Sequence, residues 1–125
     1  MVGQLSVISR YRVAPGESTE FLELARPALA ALAARPGFVS GSVGRALDDG
    51  SLFVLSTRWE SVGAYRRALS SYEVKVCAVP LMYRALDEPS AFEPLLASVE
   101  GEIVAYPGDR ADDAESAGPT PWADR

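Results

Sequence analysis

The sequence predicts an α+β fold of the ferredoxin-like kind, a split βαβ arrangement with an antiparallel sheet. Three observations predict it. Apolar side chains alternate with a period of two in several short segments, and recur at three- and four-residue spacing in others. The segments follow one another as strand, helix, strand, strand, helix, strand. The chain has 125 residues, 48% hydrophobic and 23% charged, which suits one domain.

In residues 4–13, Leu5, Val7, Tyr11 and Val13 share one parity, with Ser9 among them, as in a half-buried strand. Ala14-Pro15-Gly16 stops it. Glu17-Ser18-Thr19-Glu20 then places acid where a helix dipole favours it. Phe21, Leu24, Ala25, Ala28 and Leu32 form one apolar helical face, running to about Arg35 before Pro36-Gly37. Pro27 lies inside this helix. It lacks an N–H and crowds the preceding turn, so a kink or break is expected near residues 23–26.

Residues 38–47 and 51–59 read as two strands around Asp48-Asp49-Gly50, a tight-turn signal. The acidic pair is therefore read as a turn, not as a metal or acid/base site. Ser61 is a candidate N-cap, and Val62, Tyr65 and Leu69 mark the next helical face. Ser70-Ser71 interrupts it. A further short helix is expected from Tyr72 to about Met82, with a strand as the alternative for residues 73–76, and Pro80 ends or bends it. After Asp87-Glu88-Pro89, residues 90–99 and 102–106 supply one or two late strands. Pro94 confines the first to an edge or a bulge. The domain is read as residues 1–106, and residues 107–125, rich in Gly, Pro, Asp and Ala, as an acidic tail. Val54 has the parity opposite to Phe53, Leu55, Thr57 and Trp59, so this strand is apolar on both faces. A sheet covered by helices on one side and apolar on the other predicts a face-to-face homodimer.

Composition excludes whole classes of chemistry. There is no histidine, which removes Ser-His-Asp and Cys-His catalysis and every His-ligated haem or zinc site. Cys77 is the only cysteine, so no intrachain disulfide forms. It reads as a buried small hydrophobe, and the setting as cytoplasmic. Lys75 is the only lysine on which Schiff-base chemistry could rest. The net charge of -5 argues against nucleic acid, and no aromatic RNA-binding strand motif is present. The longest apolar runs, such as residues 28–34, fall far short of the ~20 residues of a membrane span. The first residues lack the pattern of a signal peptide, so no membrane partner is expected.

Thr57-Arg58-Trp59-Glu60-Ser61 followed by Ala64-Tyr65-Arg66, with Pro36-Gly37-Phe38 before the hairpin and the weaker Ala85-Leu86-Asp87-Glu88-Pro89, resembles the antibiotic biosynthesis monooxygenase (ABM) superfamily over about residues 4–106. The resemblance implies a dimeric α+β barrel. It also implies either cofactor-independent oxygenation of anthrone- or quinol-like substrates or haem degradation. The haem-degrading branch places a Trp nine residues and a His nineteen residues after the strand-end Trp. Here those positions are Ala68 and Ala78, and Ser9 stands for that branch's first-strand asparagine. The oxygenase branch places its strand-end Trp and later Tyr on Trp59 and Tyr65, which become the candidate catalytic residues. Its pocket asparagine falls on Leu55. Its later arginine falls near Val79, with Arg84 the nearest candidate. The expected substrate pocket is Ser9, Tyr11, Phe38, Leu55, Tyr72, Met82 and Arg84, with no cofactor and no metal.

The residues themselves leave choices open. The Trp59 indole N–H either sits in the core or bonds a substrate oxygen. The Tyr65 phenol either packs or binds and protonates one. Met82 and Tyr83 read as core or pocket lining. Arg10, Arg12 and Arg58 read as rim or dimer-face residues, or else as ligands for an acidic substrate. No strong base is evident, which leaves a carboxylate, a tyrosinate or water. The expected function is oxidation of a small aromatic substrate with dioxygen. The alternative is a non-catalytic, dimeric ligand-binding or structural module of the same fold. A wholly apolar interior around Leu55 favours the module, and convergence of Trp59, Tyr65 and an arginine favours the enzyme.

Overall fold

The structure, a computed structural model, describes residues 4–108. Four antiparallel strands form the main sheet. They are β1 (Leu5–Arg12), β2 (Phe38–Arg45), β3 (Leu52–Trp59) and the two-residue β4 (Ala91–Phe92), in the order β2-β3-β1-β4. The β1–β3 register runs from Leu5 opposite Trp59 to Arg12 opposite Leu52. It puts Leu5, Val7, Ser9 and Tyr11 on the same face as Phe53, Leu55, Thr57 and Trp59, and all eight are buried. The parity read from each strand is therefore the parity of the sheet's inner face.

Helix α1 (Ser18–Ala33) covers that face with Phe21, Ala25, Ala28, Ala31 and Leu32. Two expectations change here. Leu24 is 46% exposed, and Ala31 is buried on the face instead. The helix also runs unbroken through Pro27. Pro27 is exposed, so the carbonyl left without a partner can turn to water and only one backbone bond is lost.

The Pro36-Gly37-Phe38 element has a geometric cause. Gly37 has φ +90°, and a Cβ there would lie 2.4 Å from the Ala64 Cβ. The Gly37 carbonyl also accepts from the Glu60 N–H at 2.8 Å, closing the entry to β2 against the exit from β3. Gly37→Ala is expected to cost roughly 2–5 kcal/mol, from left-handed strain and overpacking together. Urea unfolding checks it, and a loss below about 0.5 kcal/mol, the range of an ordinary surface change, contradicts it.

The β2–β3 turn is built on Asp49. Its carboxylate accepts from the Ser51 N–H at 3.1 Å, the Ser51 hydroxyl at 2.8 Å and Arg12 Nη1 at 2.9 Å. These bonds hold the carboxyl below its ordinary range. The acidic pair is a turn, as read from the sequence.

Helix α2 (Val62–Ser70) is capped by Ser61, whose hydroxyl accepts from the Ala64 N–H at 3.0 Å. The single helix expected over residues 72–82 is two pieces, α3 (Tyr72–Cys77) and α4 (Val79–Met82), parted at Ala78. Pro80 explains the division. It cannot donate to Val76, and its ring would meet that carbonyl, so the chain restarts with proline in the first turn of α4. Residues 73–76 lie in helix, which removes the strand alternative.

The late strands also divide, on either side of residues 93–95. β4 lies at the edge beside β1, where the Ile8 N–H donates to the Ser90 carbonyl at 2.7 Å. β5 (Leu96–Val99) and β6 (Glu102–Ala105) form a separate hairpin. Glu100 and Gly101 both take positive φ at its turn. Arg10 pairs with Glu88, Arg12 with Asp49, and Arg58 donates to Gln4. All three arginines are exposed, away from the inner face. Of the acidic tail read at 107–125, residues 109–125 lie outside the described residues.

Candidate active site between the sheet and the helices

Three elements bring a chain of aromatic rings together. Phe38 at the start of β2 meets Trp59 at the end of β3 edge-on, ring centres 5.2 Å apart. Trp59 meets Tyr65 of α2 at 5.6 Å. Small side chains allow this approach, since Ala64 and Ala68 are the other buried residues of α2. Trp59 is 0% and Tyr65 1% exposed.

The Trp59 indole N–H donates to Thr57 Oγ1 at 2.9 Å. Of the two readings left open for this group, the structure takes the internal one: the donor is held within β3, and Trp59 is a wall. Thr57 was not among the candidate residues. Its signal was available, because residues two apart on a strand share a face.

A second polar point lies on β1. The Ser9 and Tyr11 hydroxyls are 3.0 Å apart, and both residues are buried. Tyr11 also packs on Phe21 at 5.3 Å, and Phe21 on Phe53 at 5.1 Å, which fixes its ring. Burial pushes the Tyr11 phenol above its ordinary range, and the Ser9 bond and the Arg84 charge ease it back in part. Burial pushes the Tyr65 phenol far above that range, and Tyr11 adds to the rise. Burial thus holds each phenol neutral.

Among the remaining candidates, Leu55 is buried opposite Ser9, and Met82 is buried in α4. Arg84 is exposed, and its charge is felt at Tyr11. Tyr72 is 76% exposed at the start of α3 and stands outside this interior. Tyr83 is likewise exposed, and Cys77 is half-buried. The structure thus joins Phe38, Trp59 and Tyr65, and joins Ser9 with Tyr11, with Leu55 and Met82 in the same core.

This arrangement narrows the choice of base. Both buried phenols are held protonated, so neither is a tyrosinate near neutral pH. Every described Asp and Glu is at least partly exposed. The interior is buried, and its two phenols are neutral.

The raised phenols also predict a pH dependence. A group whose folded pKa is raised contributes stability that is full below its unfolded value, near 10, and is lost as pH rises above it. Each pH unit above 10 should cost about 1.4 kcal/mol per buried tyrosine. Urea unfolding between about pH 8 and 11 should show the parent falling more steeply than Tyr65→Phe. Parallel curves contradict this.

Comparison with known proteins places this geometry. The sequence model of the antibiotic biosynthesis monooxygenase family matches residues 5–79. Among curated proteins none matches. Similar solved structures include SnoaB, a cofactor-independent oxygenase from Streptomyces nogalater. It is 18% identical over 90% of this chain and 100% of its own, with a TM-score of 0.59. A conserved protein from Methanosarcina mazei Go1 is 17% identical over 84% of this chain and 94% of its own, with a TM-score of 0.60. A conserved protein of unknown function from Bacteroides thetaiotaomicron is 12% identical over 74% of this chain and 99% of its own, with a TM-score of 0.63. At these identities the likeness is one of fold.

Proposed function

The chain belongs to the antibiotic biosynthesis monooxygenase family, and from that premise we propose that it is a cofactor-independent monooxygenase. Its substrate is a small aromatic molecule of the anthrone or quinol kind, and its oxidant is dioxygen. For an anthrone the reaction balances as a ring CH2 plus O2 giving C=O plus water. The substrate loses a proton, its anion passes an electron to dioxygen, and the two recombine at carbon as a peroxide; the peroxide regains a proton, and loss of the remaining ring C–H proton breaks the O–O bond and releases water.

One observation carries this reading: two buried, neutral phenols, Tyr65 against the Trp59 ring and Tyr11 farther along β1, in a largely apolar interior. Donors fixed in a dry site stabilise a substrate anion more than water does, because they need not reorient as the charge forms. With both phenols protonated and the described carboxylates at the surface, the base is not one of the buried side chains. Trp59 and Tyr65 are fully buried.

The working unit in this reading is a cytoplasmic homodimer. The outer sheet face carries Ile8, Leu52 and Val54 without a helix over them, and Phe92 beside them is exposed. The β5–β6 hairpin adds Leu96 and Ile103, 71% and 72% exposed. A two-stranded hairpin is marginal alone, and a second copy supplies its cover. Light scattering should give twice the chain mass, and a monomer at all concentrations rejects the dimer.

The non-catalytic module keeps one supporting observation, the apolar Leu55 beside a Trp59 donor already held by Thr57. An oxygen electrode decides between them. The parent should consume oxygen with a panel of anthrones and hydroquinones. Uptake at the background rate across the panel rejects the enzyme for that class.

A further inference from the structure

We propose that the acidic segment 109–125 docks on the solvent-facing side of α3 and α4 of its own chain, with the Trp122 indole seated against Val76 and Tyr83. The docking is independent of the oxygenase reading.

An apolar stripe runs along the outside of these two helices. Tyr72 is 76%, Val76 53% and Tyr83 57% exposed, and Pro80 between them is exposed as well. Spacings of four, four and three residues place them on one helical face. The backbone carries that face across the break, because the Ala78 N–H donates to the Val74 carbonyl and the Met82 N–H to the Ala78 carbonyl. The opposite side, Val74, Ala78, Leu81 and Met82, is buried and accounts for the packing of both helices. The stripe contributes nothing to that packing, and large apolar side chains in a row mark a contact surface.

Charge selects the occupant. Residues 61–86 carry Arg66, Arg67, Lys75 and Arg84 against Glu73, a net of +3 in a chain whose total is -5. All four bases are exposed, and Lys75 and Arg84 adjoin Val76 and Tyr83 in the chain. Asp87 and Glu88 follow, and Glu88 is held by Arg10. Residues 107–125 hold Asp109, Asp112, Asp113, Glu115 and Asp124 against Arg110 and Arg125, a net of -3, and Trp122 is their one aromatic residue. An acidic segment with one large ring complements a basic face with one apolar stripe. Pro119 and Pro121 restrict the backbone before the ring, which lowers the entropy lost on docking. The indole gains cation–π attraction from Lys75 and Arg84 beside it.

The segment is long enough. It departs from beside Glu93 and Leu95, where the Tyr106 N–H donates to the Leu95 carbonyl at 2.9 Å and Gly108 lies against both side chains. Glu93 follows Tyr83 by ten residues, so the two stand at most about 36 Å apart. Val76 lies seven helical residues beyond Tyr83, roughly 10 Å more. Trp122 follows Gly108 by fourteen residues and reaches up to about 50 Å. Both ends of the proposed seat are therefore within its span.

The test reads Trp122 fluorescence in the full chain. Trp59 is the only other tryptophan, so the emission of the parent less that of Trp122→Phe isolates the Trp122 signal. Acrylamide should quench the docked indole about threefold less than it quenches free N-acetyltryptophanamide, because a seated ring is partly covered. Tyr72→Ser/Val76→Ser and Lys75→Glu/Arg84→Glu alter only exposed side chains, and each double variant should raise quenching toward the free value. High salt should raise it too, by screening the charges. Quenching of Trp122 in the parent equal to that of the free compound overturns the docking. Protection that both double variants leave unchanged also overturns it, since the indole is then seated elsewhere. Protection lost on dilution places the ring on a second copy and overturns the seat within one chain. Should one double variant fail to fold, the other decides by the same criterion.

Discussion

Trp59→Ala should lower the unfolding free energy by about 3–5 kcal/mol, the usual result of emptying a fully buried aromatic site. Trp59 is 0% exposed, flanked by Phe38 at 5.2 Å and Tyr65 at 5.6 Å, and it closes β3 against α2. Truncation removes the ring, forfeits both aromatic contacts, and leaves the Thr57 hydroxyl buried without the N–H it accepts from. A domain of this size has a total stability of about 5–15 kcal/mol, so the variant stands near its folding limit. Trp59→Phe separates the contributions. It keeps most of the volume and loses the donor, and should cost roughly half as much or less. Denaturant unfolding of the three proteins checks both. Equal stability of Trp59→Ala and parent would mean that the ring is not part of the core.

Tyr65→Phe should reduce anthrone-dependent oxygen uptake by roughly a hundredfold, the lower range for a positioned proton donor, and should do so in kcat. The phenylalanine ring retains the contact with Trp59, so unfolding near neutral pH should move by only about 1 kcal/mol. This split between activity and stability is the diagnostic. A core tyrosine with no chemical role would give the reverse: unchanged turnover and the same small loss of stability. An effect confined to KM would assign Tyr65 to uniform substrate binding and not to stabilisation of the charge that forms during reaction. If Tyr65→Phe turns over at the parent's rate, the catalytic assignment is wrong even though the family membership remains.

These two residues also show how far the sequence could be read. Trp59 and Tyr65 were placed on the inner face correctly, Trp59 by strand parity and Tyr65 by helical spacing with Val62 and Leu69. Both rules follow from local backbone geometry. Pro27 and Pro80 show the opposite situation. Each was flagged for the same chemical defect, yet α1 continues through Pro27 while the later helix breaks at Ala78. α1 continues for six residues past its proline and buries Ala28, Ala31 and Leu32 there. α4 is only four residues long and has far less packing to hold it in line. Tyr72 belongs to the pocket that the family resemblance implies. The start of α3 turns it to solvent, 76% exposed.

The sequence by itself determined that β1, β2 and β3 form, which face of β1 and β3 is buried, and where the chain turns between them. Those properties depend on side-chain periods and on residues such as Ser61, whose cap is completed three positions along the chain. Only the tertiary structure decided that the Trp59 N–H is taken by Thr57, that Ser9 and Tyr11 bond each other, and that Tyr11 bears on Tyr65 and feels Arg84. A hydrogen's partner depends on which side-chain ends meet once β1, β3, α2 and the segment after α4 are packed, and no period in the sequence encodes that meeting.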